Sequence, residues 1–208
     1  MTQAVKQPTP GMTQPKADIQ VVEAGEIILF PGVANYLYRL QEGLIRIHNM
    51  DDEGNALTLR YVKPDGYFGE EALTGGQRRY FAEAVTRCTV EHFSPAALTT
   101  EQHIALSHHL VEAVEKLYRS MFRLSGKRLK SRIAAELLDL QDSALAVPNS
   151  NGEAVIRLTH DDLAAAVGSV RETVTKLVGE LAKEKAIHSG YGKITLSNLE
   201  LLRTIADE

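Results

Sequence analysis

The side chains with the clearest chemical purpose in this sequence are Arg171, Glu172, Thr173 and Lys176, gathered near the start of one helical stretch. Arginine offers two parallel N–H donors that match the O6 and N7 acceptors of guanine, and glutamate can accept from the amino group of cytosine. Lys176 lies one turn further along the same face. Thr159, Ser169, Thr173, Tyr191 and Lys193 supply donors suited to phosphate oxygens, contacts that set register on a duplex without reading its bases. The chemistry implied is non-covalent recognition. No nucleophile elbow, metal-ligand set, phosphate-binding P-loop or dinucleotide fingerprint occurs, so the sequence does not read as an enzyme.

The elements that must position these groups lie in Thr159 to Val178, THDDLAAAVGSVRETVTKLV. Leu163 and Val167 form the apolar side of a first short helix, and Val174, Leu177, Val178 and Leu181 recur at helical spacing in a second. Thr159 with Asp162 predicts a cap for the first helix, and Ser169-x-x-Glu172 is a capping-box pattern for the second, directly after a turn at Gly168. Two packed helices meeting at such a turn describe either an ordinary helical pair or a helix-turn-helix whose second helix enters a major groove. Val155 to Leu158 predicts a short strand before it. Ala186 to Ser189 and Lys193 to Leu196 predict a hairpin wing around Gly190-Tyr191-Gly192, and Ser197-x-x-Glu200 predicts the cap of a last helix.

The wording Gly-Ser-Val-Arg-Glu-Thr-Val-Thr-Lys, followed by Leu181, Ile187, His188 and Gly190-Tyr191-Gly192-Lys193, resembles the C-terminal DNA-binding domain of the CRP/FNR family of bacterial transcription regulators. The Arg-Glu-x-x-x-Lys arrangement is similar to the Arg-Glu-x-x-x-Arg reader of TGTGA-like half-sites. The resemblance therefore implies a palindrome built from TGTG and CACA, with half-sites about 10–10.5 bp apart.

From about Ile19 to Phe93 short apolar runs alternate with turn residues: Ile27 to Phe30, Tyr36 to Leu40, Leu44 to His48, Leu57 to Val62, Phe81 to Thr86 and Cys88 to Phe93. Pro31-Gly32, Glu42-Gly43, Asp52-Glu53-Gly54-Asn55 and Pro64-Asp65-Gly66 punctuate them. Leu57, Leu59 and Tyr61 alternate with Thr58, Arg60 and Val62, as in a half-buried strand. A small antiparallel roll is predicted, with Cys88 as a buried hydrophobe. Tyr38 to Gly43, Asp51 to Asn55 and Gly66 to Leu73 resemble the cyclic-nucleotide-binding roll of the same family. In ligand-binding relatives an Arg-Ser pair holds the cyclic phosphate. Counted from Gly69, those positions fall on Tyr80 and Phe81, with Arg78 and Arg79 out of register on the strand. Glu70 remains suited to a ribose.

A long helix is predicted from about His103 to Lys127 after a connection over Pro95 to Gln102. Leu110, Val114, Leu117, Met121 and Leu124 step by four and three, the seam of a coiled coil. Val111, Tyr118, Phe122 and Leu129 form a second stripe expected to pack on the roll, so the helix reads as the interface of a homodimer. The resemblance places the polar base contacts of relatives on Leu117 and Tyr118, which is a second argument against a bound purine. His103, His108 and His109 read as solvated, because neighbours at i and i+1 point to different faces and no carboxylate or thiol completes a metal-binding set. Ile133, Leu137 and Leu140 begin the C-terminal helices, and Ala146 to Gly152 reads as a loop.

The fold class expected is α+β: a flexible tail over 1–18, a β-roll over 19–98, a dimerisation helix over 99–128 and a winged helix-turn-helix over 129–208. Its 208 residues, 44% hydrophobic and 24% charged, suffice for two modest cores. Neither an apolar run long enough for a membrane span nor a secretory leader is seen, so the expected location is the cytoplasm. The net charge of −4 places any basic footprint locally, on Arg171, Lys176, Lys183, Lys185 and Lys193, balanced by Asp161, Asp162, Glu172, Glu180 and Glu184. The family resemblance implies double-stranded DNA and RNA polymerase as partners, the latter through the acidic turn Asp51-Asp52-Glu53 or the loop Ala146 to Gly152. No cofactor is expected. The reading is a transcription activator of growth-phase or stress type that works without cyclic AMP; the alternative is a sensing module gated by a different small molecule.

Overall fold

The computed structural model describes residues 18–208, so the tail predicted over 1–18 lies, Asp18 apart, outside the described residues. Asp18 itself opens strand β1 (Asp18–Val22). There follow β2 (Ile27–Leu29), β3 (Gly32–Val33), β4 (Leu37–Glu42), β5 (Ile45–Met50), β6 (Ala56–Val62), β7 (Tyr67–Phe68), β8 (Gln77–Arg78), β9 (Phe81–Ala84) and β10 (Cys88–Phe93). They form two antiparallel four-stranded sheets, β1-β10-β4-β7 and β2-β9-β5-β6, with β3 and β8 as a short ladder. Val22, Leu40, Phe68, Cys88 and Val90 of the first sheet and Leu29, Ile45, Ile47, Val62 and Ala82 of the second enclose one core.

The alternation in β6 is real, but periodicity could not say which face turns inward. Leu57 and Leu59 are exposed, Val62 is buried, and Arg60 projects to the same side as Val62, into the roll. Tyr61 turns the other way and packs against the C-terminal core.

Helix α1 (Thr100–Gly126) starts earlier than expected because Thr99 and Gln102 form a reciprocal capping box. Leu106, only 3% exposed, packs with Leu37, Tyr67 and Phe93 and fastens the helix to the roll. The expected second stripe does not: Val111, Tyr118 and Phe122 are all exposed, and only Leu129 finds a core, that of the C-terminal part. The reason is helical phase: at about 3.6 residues per turn Val111, Tyr118 and Phe122 fall on the side of α1 away from Leu106, which faces the roll.

The chain continues through α2 (Leu129–Leu140), β11 (Ala146–Pro148), β12 (Ala154–Ile156), α3 (His160–Val167), α4 (Arg171–Lys183), β13 (Ile187–Gly190), β14 (Lys193–Leu196) and α5 (Leu199–Asp207). The strands form one sheet in the order β11-β12-β14-β13. Part of the expected loop Ala146 to Gly152 is therefore strand: Ala146, Val147 and Pro148 pair with Ile156, Val155 and Ala154. A proline is tolerated there because β11 is an edge. Asn198, rather than Ser197, caps α5, its side chain accepting from Leu201 N at 3.0 Å.

Ile133, Leu137, Leu140, Ile156, Leu163, Val174, Val178, Leu181 and Leu202 build the second core. Leu44 of the roll is buried in it, and Tyr61 and Val85 pack on it. Lys63 Nζ also donates to Asp139 O, 3.2 Å away, across the same junction. Among the described residues no helix is long and apolar enough to cross a membrane.

Candidate nucleic-acid interface

Thr159 caps α3 as expected: its hydroxyl accepts from Asp162 N at 3.1 Å, and the Asp162 carboxylate accepts from Thr159 N at 3.0 Å. Gly168 ends the helix in the left-handed region, φ 62°, which costs glycine little. Ser169 N then donates back to Ala164 O at 3.0 Å.

The second capping box is not formed. Val170, extended at φ −98° and ψ 149°, is the residue before the first turn of α4, and no side chain caps that helix. Ser169 spends its N–H closing α3, so α4 begins one residue later than the Ser169-x-x-Glu172 pattern requires. Glu172 is thereby released to solvent.

Val174, Val178 and Leu181 bury one side of α4, and Arg171, Glu172, Thr173 and Lys176 are exposed. Arg171 Nη1 sits 3.1 Å from Asp161 Oδ2 on α3. His160 Nδ1 and the Thr175 hydroxyl, 2.9 Å apart, tie the two helices together. Sequence reasoning passed over that pair because its members are fifteen positions apart with no motif linking them. Tyr191 and Lys193 are exposed at the turn of the β13–β14 hairpin, where Gly190 pairs with Lys193. Lys130 engages Glu184 at 2.6 Å, which withdraws one acidic group from the local balance. Helix and hairpin thus each expose polar groups, arginine and lysine on α4 and a tyrosine and lysine at the wing.

The roll holds a second constellation. Gly69, at φ 82°, precedes a 3-10 turn over Glu70–Thr74, and a Cβ at that position would stand 3.0 Å from both Tyr36 O and the Tyr38 ring. Glu70 Oε1 accepts from Arg60 Nη2 at 2.6 Å and lies 3.3 Å from His109 Nε2, which is 3.3 Å from Arg60 Nη1. His109 packs edge-on against Tyr67. It is therefore not solvated, unlike His103 and His108: the phase of α1 puts it on the side of Leu106, toward the roll. Burial opposes the charge on Glu70, but the hydrogen bond from His109 and the field of Arg60 outweigh it and hold the carboxyl below its ordinary range.

Tyr80 does supply a hydroxyl, though from a phenol. It accepts from Gly69 N at 3.2 Å and donates to Glu71 Oε2 at 2.8 Å, and burial pushes its pKa up. Arg78 is buried, its guanidinium 5.9 Å from the Tyr80 ring centre and its Nε 4.0 Å from Glu71. In the acidic turn, Asp51 Oδ1 accepts from Glu53 N and Asn55 N, so Asp51 shapes the turn while Asp52 and Glu53 remain exposed. The seam residues Leu110, Val114, Leu117, Met121 and Leu124 are all exposed in the single chain.

Residues 19–100 match the family model for a cyclic nucleotide-binding domain, and residues 131–205 match that for a Crp-like helix-turn-helix domain. The transcriptional regulator SdrP of Thermus thermophilus is 49% identical over 199 residues, 94% of this chain and 97% of that protein. The chain belongs to the CRP/FNR family of transcription regulators. A second relative, the transcriptional regulator LdrP of the same organism, is 36% identical over 169 residues, 81% of this chain and 86% of its own. The crystal structure of a CRP/FNR family transcriptional regulator from Thermus thermophilus superposes with a TM-score of 0.88 at 48% identity, covering 92% of this chain and 99% of that one. For a CRP/FNR regulator, the polar groups exposed on α3, α4 and the hairpin belong to the helix-turn-helix domain, and the Glu70 constellation to the cyclic-nucleotide-binding-like roll.

Proposed function

We propose that this regulator binds TGTG/CACA palindromes as a homodimer and activates transcription without cyclic AMP. The observation that carries effector independence is the occupancy of Glu70: the carboxylate a ribose would need is already held by Arg60 and His109. Tyr80 likewise takes up the Gly69 N–H beside the place where relatives hold a phosphate. Side chains of the roll and of α1 thus occupy contacts that a nucleotide would use.

On the DNA side, Arg171 reads guanine with its two parallel donors, and Glu172, free of any capping role, accepts from cytosine. Lys176 contacts a base edge or phosphate one turn on. Thr159, Ser169, Thr173, Tyr191 and Lys193 fix register on phosphates. Association runs along Leu110, Val114, Leu117, Met121 and Leu124 of α1, within a division of roll over 19–98, dimerisation helix over 99–128 and reader over 129–208. In the cytoplasm the dimer meets RNA polymerase through exposed Asp52 and Glu53, with Asp51 holding the turn. Activity of such a dimer follows its abundance, as growth-phase or stress control requires.

One observation favours the second reading, a roll gated by an anion other than cyclic AMP: the buried Arg78 guanidinium, whose Nε has no hydrogen-bond partner among the described residues. Fluorescence anisotropy on a TGTG/CACA palindrome and a scrambled duplex, at fixed salt with and without cyclic AMP, tests the proposal. Sequence-dependent binding by the apo-protein, unchanged by nucleotide, is expected; binding only when cyclic AMP is added would overturn effector independence.

A further inference from the structure

Val170 stands out at the tip of the reading helix. It is 61% exposed, joins none of the three buried clusters, and immediately precedes Arg171 and Glu172. It also occupies the position where a helix most rewards Ser, Thr, Asp or Asn and least rewards an aliphatic side chain. An aliphatic residue there gives up a cap and leaves apolar surface in water, two costs for the isolated protein. Burial on binding removes the second cost and offsets the first.

We infer that Val170 is a base-reading residue whose isopropyl group packs on the 5-methyl of a thymine beside the bases reached by Arg171 and Glu172. The inference rests on the reading of α4 as the recognition helix. In that geometry the N-terminal residues of the helix face the base edges. The thymine methyl is the one apolar group those edges present in the major groove, and valine answers it where a serine would answer a phosphate. The branched side chain holds its two methyls in few rotamers, so the apolar surface is ready before contact.

A competing role is association between copies, because the Gly168 turn next door lies near Leu124 and Leu57. One experiment separates the two. The full-length protein first selects its duplex from a randomised pool, which frees the test from the TGTG/CACA assignment. Each thymine of the selected site is then replaced by uracil in both half-sites, which removes only the methyl group, and anisotropy is measured for the wild type, Val170→Ala and Val170→Ser. At one thymine per half-site uracil is expected to weaken the wild type about fourfold per half-site, the effect of losing one buried methyl. Val170→Ala is expected to bind both duplexes alike, and Val170→Ser to lose the thymine preference while melting a few degrees higher through its restored cap. Indifference of the wild type to every uracil, or an undiminished uracil penalty in Val170→Ala, would overturn the inference. So would a Val170→Ala protein that sediments as a smaller species and binds all duplexes equally worse. A pool that yields no preferred duplex overturns the DNA reading itself and this inference with it.

Discussion

Arg46 of the roll reaches Asp162 of the helix-turn-helix, Nη1 to Oδ1 3.4 Å, and with its other nitrogen holds Glu83 at 2.6 Å. Asp162 is also the residue that closes the cap of α3 with Thr159. The same carboxylate therefore starts the first helix of the reader and ties it to the roll. The tie is side chain to side chain, on top of the apolar junction made by Leu44, Tyr61 and Val85.

Glu83 Oε2 lies 3.3 Å from the buried His48. Burial first, and then the charge of Arg46, hold the His48 pKa below its ordinary value, with Glu83 opposing them. Arg46→Met is expected to raise the His48 pKa in an NMR titration and to cost about 1–3 kcal/mol in urea unfolding at pH 7, the range for stranding a buried polar partner. The sign in pH follows. A folded state that keeps His48 neutral is stabilised above the unfolded pKa, and that contribution is lost as pH falls below about 6.5. The variant should show a shallower acid loss than the wild type.

Glu136 on α2 behaves oppositely. Burial, reinforced by Asp139, pushes its carboxyl up to about 7 against the pull of Arg123 and Lys63, and Tyr61 faces it from the roll. The folded protein binds a proton there that the unfolded chain, titrating near 4.3, has released, so stability falls as pH rises from about 4.5 to about 7. Glu136→Gln should be more stable than the wild type by about 1–3 kcal/mol at pH 8 and close to it at pH 5. Equal differences at both pH values in urea unfolding would refute the account.

Arg171 and Asp161 form an exposed pair, which contributes little to folding. Arg171→Ala should leave the melting temperature unchanged and weaken binding to the palindrome by roughly tenfold or more per half-site. Asp161→Ala releases the guanidinium and removes an anion near the phosphates, so a gain of about two- to fivefold is expected, shrinking at high salt. Anisotropy over a salt series checks both.

For the α1 seam, Leu117→Asp combined with Met121→Asp is expected to convert a dimer into a monomer in sedimentation equilibrium, with any loss of far-UV circular dichroism confined to what α1 contributes. Both residues are exposed in the single chain, so neither core loses a contact. Affinity for a full palindrome should then collapse toward that for a half-site.

Much of this was readable from the chain because glycine-marked turns and strand-length apolar runs are local signals. Cys88–Phe93 and the hairpin around Tyr191 emerge where turn chemistry put them. Of what was not readable, two features depended on a phase or register set by a distant partner, and two on a choice between neighbouring caps. Arg60 and Val62 face inward because β6 pairs with β5 in one register and not its neighbour. His109 is claimed by Glu70, thirty-nine positions away. Ser169 fits a capping box by type and spacing, but the closing turn of α3 takes its N–H first. At Ser197 and Asn198 two adjacent residues could each cap a helix, and composition does not choose between them.

The exposure of α1 carries a last consequence. Between His109 and Arg123, which pairs with Asp139 of α2, no residue of α1 is buried, and an isolated helical segment of that length is marginal in water. In the proposed homodimer a second copy of the helix would cover it, so the rod between the roll and the reader should fray on dilution and anneal as copies associate. A chain built in this way would count its own molecules: the piece proposed to align two readers on one duplex would become rigid only at concentrations where a second reader is at hand.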